Sequence, residues 1–241
     1  MKSIGIIWRR DLAGYLRSPV GYVIATCILC IDGLLFNAFA MGTEPRLSAD
    51  VIHDFFFFSS GSTMVASVFL TMRTIAEERQ LHTFVLLHTA PIREVEVVVG
   101  KFLSAFLFLA VLTLATVYMP LLVKVHGKVS WGHLAVGYTG LLLLGAACVA
   151  IGVFASSLAP NQVVAAAIAA AILVSMLLLW MVARVTDPPL KALVASLALH
   201  AVNFRGFMSG VLHLRHVLYY LGVTYFFLLA ATKVLEARRW R

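Results

Sequence analysis

Six long apolar runs, at residues 20–41, 55–76, 97–123, 134–158, 163–183 and 217–232, decide what this chain can fold into. A helix crosses a bilayer with roughly 20 mostly apolar residues, so six of them take up about 120 residues, half of a chain of 241. The composition agrees: 61% of the residues are hydrophobic and only 12% are charged, against about 45–50% and about 25% in a soluble domain. A large core does not account for so wide a gap. A soluble enzyme, a disordered tail and a disulfide scaffold are therefore excluded. The expected fold is an all-α integral membrane protein with six transmembrane helices.

Charge sets the expected orientation. Of 19 Lys and Arg, twelve fall on the side that holds both termini and seven on the other. Lys and Arg concentrate in cytoplasmic loops, so both termini are expected inside. The net charge of +8 is then loop charge rather than a nucleic-acid surface, because no long basic cluster occurs. The first residues carry Arg9, Arg10, Asp11 and Arg17 with no early apolar stretch, and a cleavable signal peptide is not expected.

Residues 3–17 read as an amphipathic helix: Ile4, Ile7, Trp8, Leu12 and Tyr15 share one face, while Arg9, Arg10 and Arg17 lie off it. Residues 1–19 are thus expected to lie in the cytoplasmic interface, with Pro19 turning the chain into the first span, and residues 20–241 to form the transmembrane domain. A weaker apolar stretch, 190–212, carries Lys191, His200, Asn203 and Arg205. It reads as short interfacial or re-entrant helices rather than a seventh span. Between the second and third spans, Glu77, Glu78 and Arg79 precede a short helical run that Pro91 ends. Leu81, Phe84, Val85 and Leu87 would give that run an apolar face. Apolar surface bordered by charge marks a partner site, with burial at the membrane interface as the competing reading.

At this loop the sequence resembles the ABC-2 type transporter permeases, in the branch of the gliding-motility and copper-enzyme-maturation permeases. The resemblance rests on Glu77, Glu78, Arg79, Thr83, Leu86, Leu87 and Pro91, with Gly100 and Lys101 opening the third span. His82 stands where that family usually has Gly. The turn at 155–165, residues 203–220 and the stretch 235–240 are also similar to the family, with His213 and His216 where it tends to have Asp.

The resemblance implies the membrane-spanning permease subunit of an ABC transporter in the bacterial cytoplasmic membrane, with export as the expected direction. It implies a separate cytosolic ABC ATPase, in two copies, that binds ATP and Mg²⁺, while this chain binds no cofactor directly. Residues 77–90 would be the coupling helix, in which Glu77, Glu78 and Arg79 position the dock and Phe84, Leu86 and Leu87 supply apolar contact. Thr83 and Pro91 belong to the same docking set. A second permease subunit, this chain again or a paralogue, would complete a dimer, and a periplasmic or auxiliary membrane partner stays open.

The remaining motifs argue against chemistry on this chain. Val95 stands where a phosphate-binding loop ending in Gly100-Lys101 would need its first Gly, and Phe102 follows the Lys, so ATP hydrolysis is expected elsewhere. His-Glu-x-x-His and Gly-x-Ser-x-Gly do not occur, and the chain is not expected to be an enzyme. Cys27 and Cys30 form a C-x-x-C inside an apolar run and read as buried small residues. His213 and His216 share a helical face with no third metal ligand in view.

Asp32 is more informative, because a carboxylate midway along a span costs about 2.5–3.5 kcal/mol on insertion scales. A transport pathway or subunit interface stands beside pairing with a nearby polar group such as Asn37. Ser59, Ser60, Gly61, Ser62, Thr63 and Ser67 make the second span polar, with close helix packing the default and pore lining the second reading. A stand-alone secondary transporter is the alternative function, though the two halves show no self-similarity. An integral-membrane lipid enzyme would need an acidic or His cluster at one face, and only Glu77, Glu78, Glu94 and Glu96 come near that.

Overall fold

The chain leaves its first helix through a capped proline turn. Ser18 accepts a hydrogen bond from the Val20 amide and Pro19 occupies the first helical position, so α1 (Lys2–Arg17) ends where α2 (Pro19–Leu35) begins. This computed structural model describes residues 2–41, 47–81, 93–127, 129–187 and 190–239. A π-helical segment, Phe36–Met41, extends α2. There follow α3 (Ser48–Thr71), α4 (Ala76–Gln80), α5 (Glu94–Ala115), α6 (Tyr118–His126), α7 (Trp131–Leu158), α8 (Gln162–Val185), α9 (Leu190–Leu197), α10 (Arg205–Met208) and α11 (Leu214–Arg239). Among the described residues there is no strand, and the chain is an all-α integral membrane protein.

Six helical stretches are long and apolar enough to span: Pro19–Ala38, Ser48–Gln80, Glu94–Val125, Trp131–Leu158, Gln162–Val185 and Leu214–Arg238. The second begins earlier than its apolar run because Asp50, His53 and Asp54 continue the helix past the point where hydropathy drops. The third is broken at Thr116–Val117. There Pro120 lacks an amide and its ring would clash with the carbonyl four residues back, at Thr116. An even number of spans puts α1, α4 and the last turn of α11 at one end, here the basal end, and α9 and α10 toward the other, the apical end.

The core is organised around α7. In its spanning window 78% of residues are buried, against 17% for α8 and 22% for both α2 and α11. Small residues make this possible: a Cβ at Gly152 would collide with the Thr71 side chain, so only glycine lets α3 and α7 approach this closely. Ser59, Ser60, Ser62, Thr63 and Ser67 are all buried, and those whose hydroxyl protons are placed on backbone donate within their own helix, as Thr63 does to the Ser59 carbonyl at 2.7 Å and Ser67 to the Met64 carbonyl at 2.7 Å. Thr63 and Ser67 are therefore satisfied inside their own helix.

Residues 190–212 do not span. Between α9 and α10 the chain turns back into the bundle, and the Leu199 amide donates to the Met176 carbonyl on α8 at 3.2 Å. Met176 lies nine residues short of the end of α8, about 13 Å down the helix at 1.5 Å per residue. Non-helical backbone at that depth needs internal partners, and side chains supply them. Asn203 Nδ2 donates to the Ser196 and Ala198 carbonyls (3.0 and 2.8 Å), Tyr219 to Leu197 (2.7 Å) and Tyr220 to Leu199 (2.8 Å). His200 Nε2 lies 2.7 Å from Ser60 Oγ on α3. His216 belongs to this scaffold, with Nδ1 3.0 Å from Asn203 Oδ1.

One expectation is corrected. Cys27 and Cys30 are exposed on the outer face of α2, while Cys148 on α7 is buried. Hydropathy cannot separate a residue facing lipid from one facing the core, because both environments are apolar.

Candidate functional site

At the basal end α1 lies across the start of α5. A Cβ on Gly100 would come within 2.8 Å of the Ile7 side chain, so glycine permits the crossing, and Ile7 is buried there. Tyr15 at the other end of α1 donates its hydroxyl to the Leu70 carbonyl of α3 at 2.9 Å and stacks on Phe108 of α5 at 5.3 Å. Burial, with Asp11 nearby, raises the Tyr15 pKa, so this hydroxyl keeps its proton and remains a donor. The apolar stripe of α1 thus packs on the bundle.

Lys101 follows Gly100 on α5 and is 2% exposed. Its Nζ donates to the Thr74 carbonyl at 2.6 Å and pairs with Glu78 Oε1 at 2.9 Å and Asp11 Oδ2 at 3.3 Å. Arg10 completes the cluster, with Nη2 2.9 Å from Glu78 Oε1 and Nε 2.9 Å from Asp11 Oδ1. Two cations and two anions alternate, so the buried ammonium is compensated rather than isolated. Burial works to lower the Arg10 pKa, but the Asp11 and Glu78 carboxylates together outweigh it and hold the guanidinium above its ordinary value.

The short helix α4 is gripped from a third side by α7. Ser156 Oγ accepts from the Ile75 and Ala76 amides at 3.0 and 2.9 Å, supplying partners to the open N-terminus of α4. Arg79 donates to the Ala159 and Ser157 carbonyls at 2.6 and 3.1 Å, where the C-terminal carbonyls of α7 attract a cation. Arg238 of α11 donates to Leu158 of the same end at 2.8 Å. Glu77 is held by Arg73 through two hydrogen bonds of 2.9 and 2.8 Å. A cavity of about 340 Å³ opens among α1, α4 and α5, with Arg10, Tyr15, Arg73 and Glu77 on its walls.

The structure therefore turns Glu77, Glu78 and Arg79 toward the bundle, where each has a named intramolecular partner. Thr83, Phe84, Leu86, Leu87 and Pro91 lie outside the described residues. Asp32, Ser59, Ser62 and Thr63 come together in mid-bundle. Asp32 Oδ1 accepts from Ser62 Oγ at 2.6 Å, and both side chains are buried. Asn37 is exposed and is not the partner of Asp32. The residues that sequence reasoning left without a role are Arg10, Asp11, Ser156 and, above all, Lys101. An ionisable residue inside a spanning run is a signal of function or pairing, and that argument, applied to Asp32, applies equally to Lys101.

A polytopic helical membrane protein with an interfacial helix locked to the base of its bundle is the class these features define. The chain belongs to the ABC-2 transporter family: the family model described as ABC-2 family transporter protein matches residues 47–234, from the start of α3 into α11. Comparison with curated proteins gives no match. Membership makes the chain a multi-pass permease component of ABC transport, of a kind not generally catalytic itself and partnered in general with an ABC ATPase subunit.

Proposed function

We propose that this chain is the permease of an ABC exporter in a bacterial inner membrane, with both termini cytoplasmic and the segment from α4 through residue 90 docking a separate ATPase. Two ATPase copies hold ATP and Mg²⁺, and two permease subunits, identical or paralogous, flank the transport path. The observation that carries the coupling reading is the grip on α4. Glu78 ties it to α1 and α5, and Arg79 and the Ser156 cap tie it to α7. A displacement of this segment is passed on as rigid-body movement of spanning helices rather than absorbed in a loop. The excess of Lys and Arg on the basal side supports its placement in the cytoplasm.

The test is Lys101→Met in proteoliposomes carrying the assembled complex. The expected result is an ATPase that still co-purifies and still hydrolyses ATP, with transport per ATP reduced about tenfold or more, the equivalent of about 1.4 kcal/mol of lost coupling. Unchanged transport per ATP would overturn the coupling role. Purification of the chain without any ATPase, under conditions that keep other ABC complexes intact, would overturn the docking reading.

A further inference from the structure

Midway through the bundle the structure encloses a chamber of about 10 Å³ between α2, α3, α5 and α7. Its polar wall is Asp32, Ser59, Thr63, Thr113 and Thr116, and the rest is apolar. The three threonines have each given their hydroxyl proton to a backbone carbonyl: Thr63 to Ser59 at 2.7 Å, Thr113 to Leu109 at 3.0 Å and Thr116 to Thr113 at 2.7 Å. Such hydroxyls have only lone pairs left to offer, and on Thr116 one of these is taken by the Tyr138 hydroxyl, which donates to it at 3.2 Å. Asp32 uses Oδ1 to accept from Ser62, and among the described residues nothing donates to Oδ2 or bonds to Ser59 Oγ. Both side chains are more than nine-tenths buried, at 5% and 4% exposure.

A carboxylate in a low-dielectric interior needs a positive partner or a proton, and among the described residues no Lys, Arg or His reaches ion-pair distance of Asp32. What lines the chamber beside it, on an otherwise apolar wall, is a set of four hydroxyl oxygens, and oxygen is the donor atom a hard cation takes. A single negative charge balances a single positive one. The space is about that of one water molecule, too small for a hydrated ion. We propose that this chamber binds one dehydrated monovalent cation of the size of Na⁺, with Asp32 Oδ2, Ser59 Oγ and the threonine hydroxyls as ligands. Bound there, the ion joins α2, the helix least enclosed on the N-terminal side of the bundle, to α3 and α5.

The experiment is thermal unfolding of the purified full-length chain in nanodiscs, in Na⁺, K⁺ or N-methylglucamine chloride at equal ionic strength and pH. Saturating Na⁺ should raise the midpoint by roughly 5 °C over N-methylglucamine. The rise should vanish in Asp32→Asn and shrink in Thr113→Val, and radioactive Na⁺ should bind at one per chain in the unmodified protein only. Equal midpoints in the three salts, or a Na⁺ effect that survives in Asp32→Asn, would overturn the proposal. A midpoint that follows pH but not the cation would also overturn it, leaving a protonated carboxyl beside a water. The salt comparison on the unmodified chain needs no variant to fold, and it needs no ATPase, so its failure leaves the permease reading where it stands.

Discussion

Lys101 Nζ stands 2.9 Å from Glu78 Oε1, a contact that joins a spanning helix, about two turns in from its start, to a short helix at the edge of the bundle. The lysine is almost wholly buried and the glutamate nearly so, at 2% and 18% side-chain exposure. Solvent therefore screens the pair little. The same ammonium also reaches the Thr74 carbonyl and Asp11, so one side chain serves α1, the α3–α4 turn and α4 at once.

Removing that ammonium should leave two carboxylates facing one guanidinium. Lys101→Met is expected to destabilise the chain by about 3 kcal/mol, the scale of a buried pair broken on one side. Glu78→Gln in the same chain should restore part of the loss. A double-mutant cycle by thermal unfolding measures the coupling, and additive losses would show that the pair does not interact.

Asn203 offers the second test. Its amide holds the Ser196 and Ala198 carbonyls and its oxygen meets His216, so Asn203→Leu strands buried groups on both segments. The expected loss is about 3 kcal/mol, from two or more unsatisfied buried groups. Proteolysis should then cut within 190–212 faster than in the unmodified chain, and an unchanged cleavage rate would count against the scaffold.

Ser62→Ala removes the donor to Asp32 Oδ1 and should cost about 1–3 kcal/mol. Ser175 is the control: it is exposed and donates only to the Ala171 carbonyl of its own helix, at 2.7 Å. Ser175→Ala should stay within about 0.5 kcal/mol. Equal effects of the two substitutions would mean that the buried carboxylate does not depend on its serine.

Thiol labelling reads the outer face of α2. In the detergent-extracted chain a membrane-permeant maleimide should modify Cys27 and Cys30 ahead of Cys148, which stays protected until unfolding, as their burial dictates. Replacing both exposed cysteines with Ser should leave transport unchanged. Oxidative cross-linking between copies through Cys27 or Cys30 would place α2 at the contact between permease subunits, and its failure in the assembled complex would place that contact elsewhere.

The spans were legible because a bilayer demands length and apolarity from every crossing, and both are visible one residue at a time. The non-spanning nature of 190–212 was legible for the same reason: His200, Asn203 and Arg205 are too polar for a lipid-facing helix. The basal ion cluster was not. Asp11 and Lys101 lie ninety residues apart, and helical periodicity says which residues share a face but not which faces meet. Asn37 is the polar residue near Asp32 in sequence, whereas the actual partner, Ser62, comes from the next helix. Ser156 read as part of a turn between spans, since nothing local reveals a hydroxyl that caps a helix eighty residues upstream.

The re-entrant turn around Leu199 adds chain to one half of the bundle only. Six helices occupy both leaflets, but the apical leaflet also accommodates the turn and its flanking short helices, while α1 skirts the basal surface. Each end of the bundle is thus closed by added chain that is hydrogen-bonded to it, the Leu199 amide to the Met176 carbonyl at one end and the Tyr15 hydroxyl to the Leu70 carbonyl at the other.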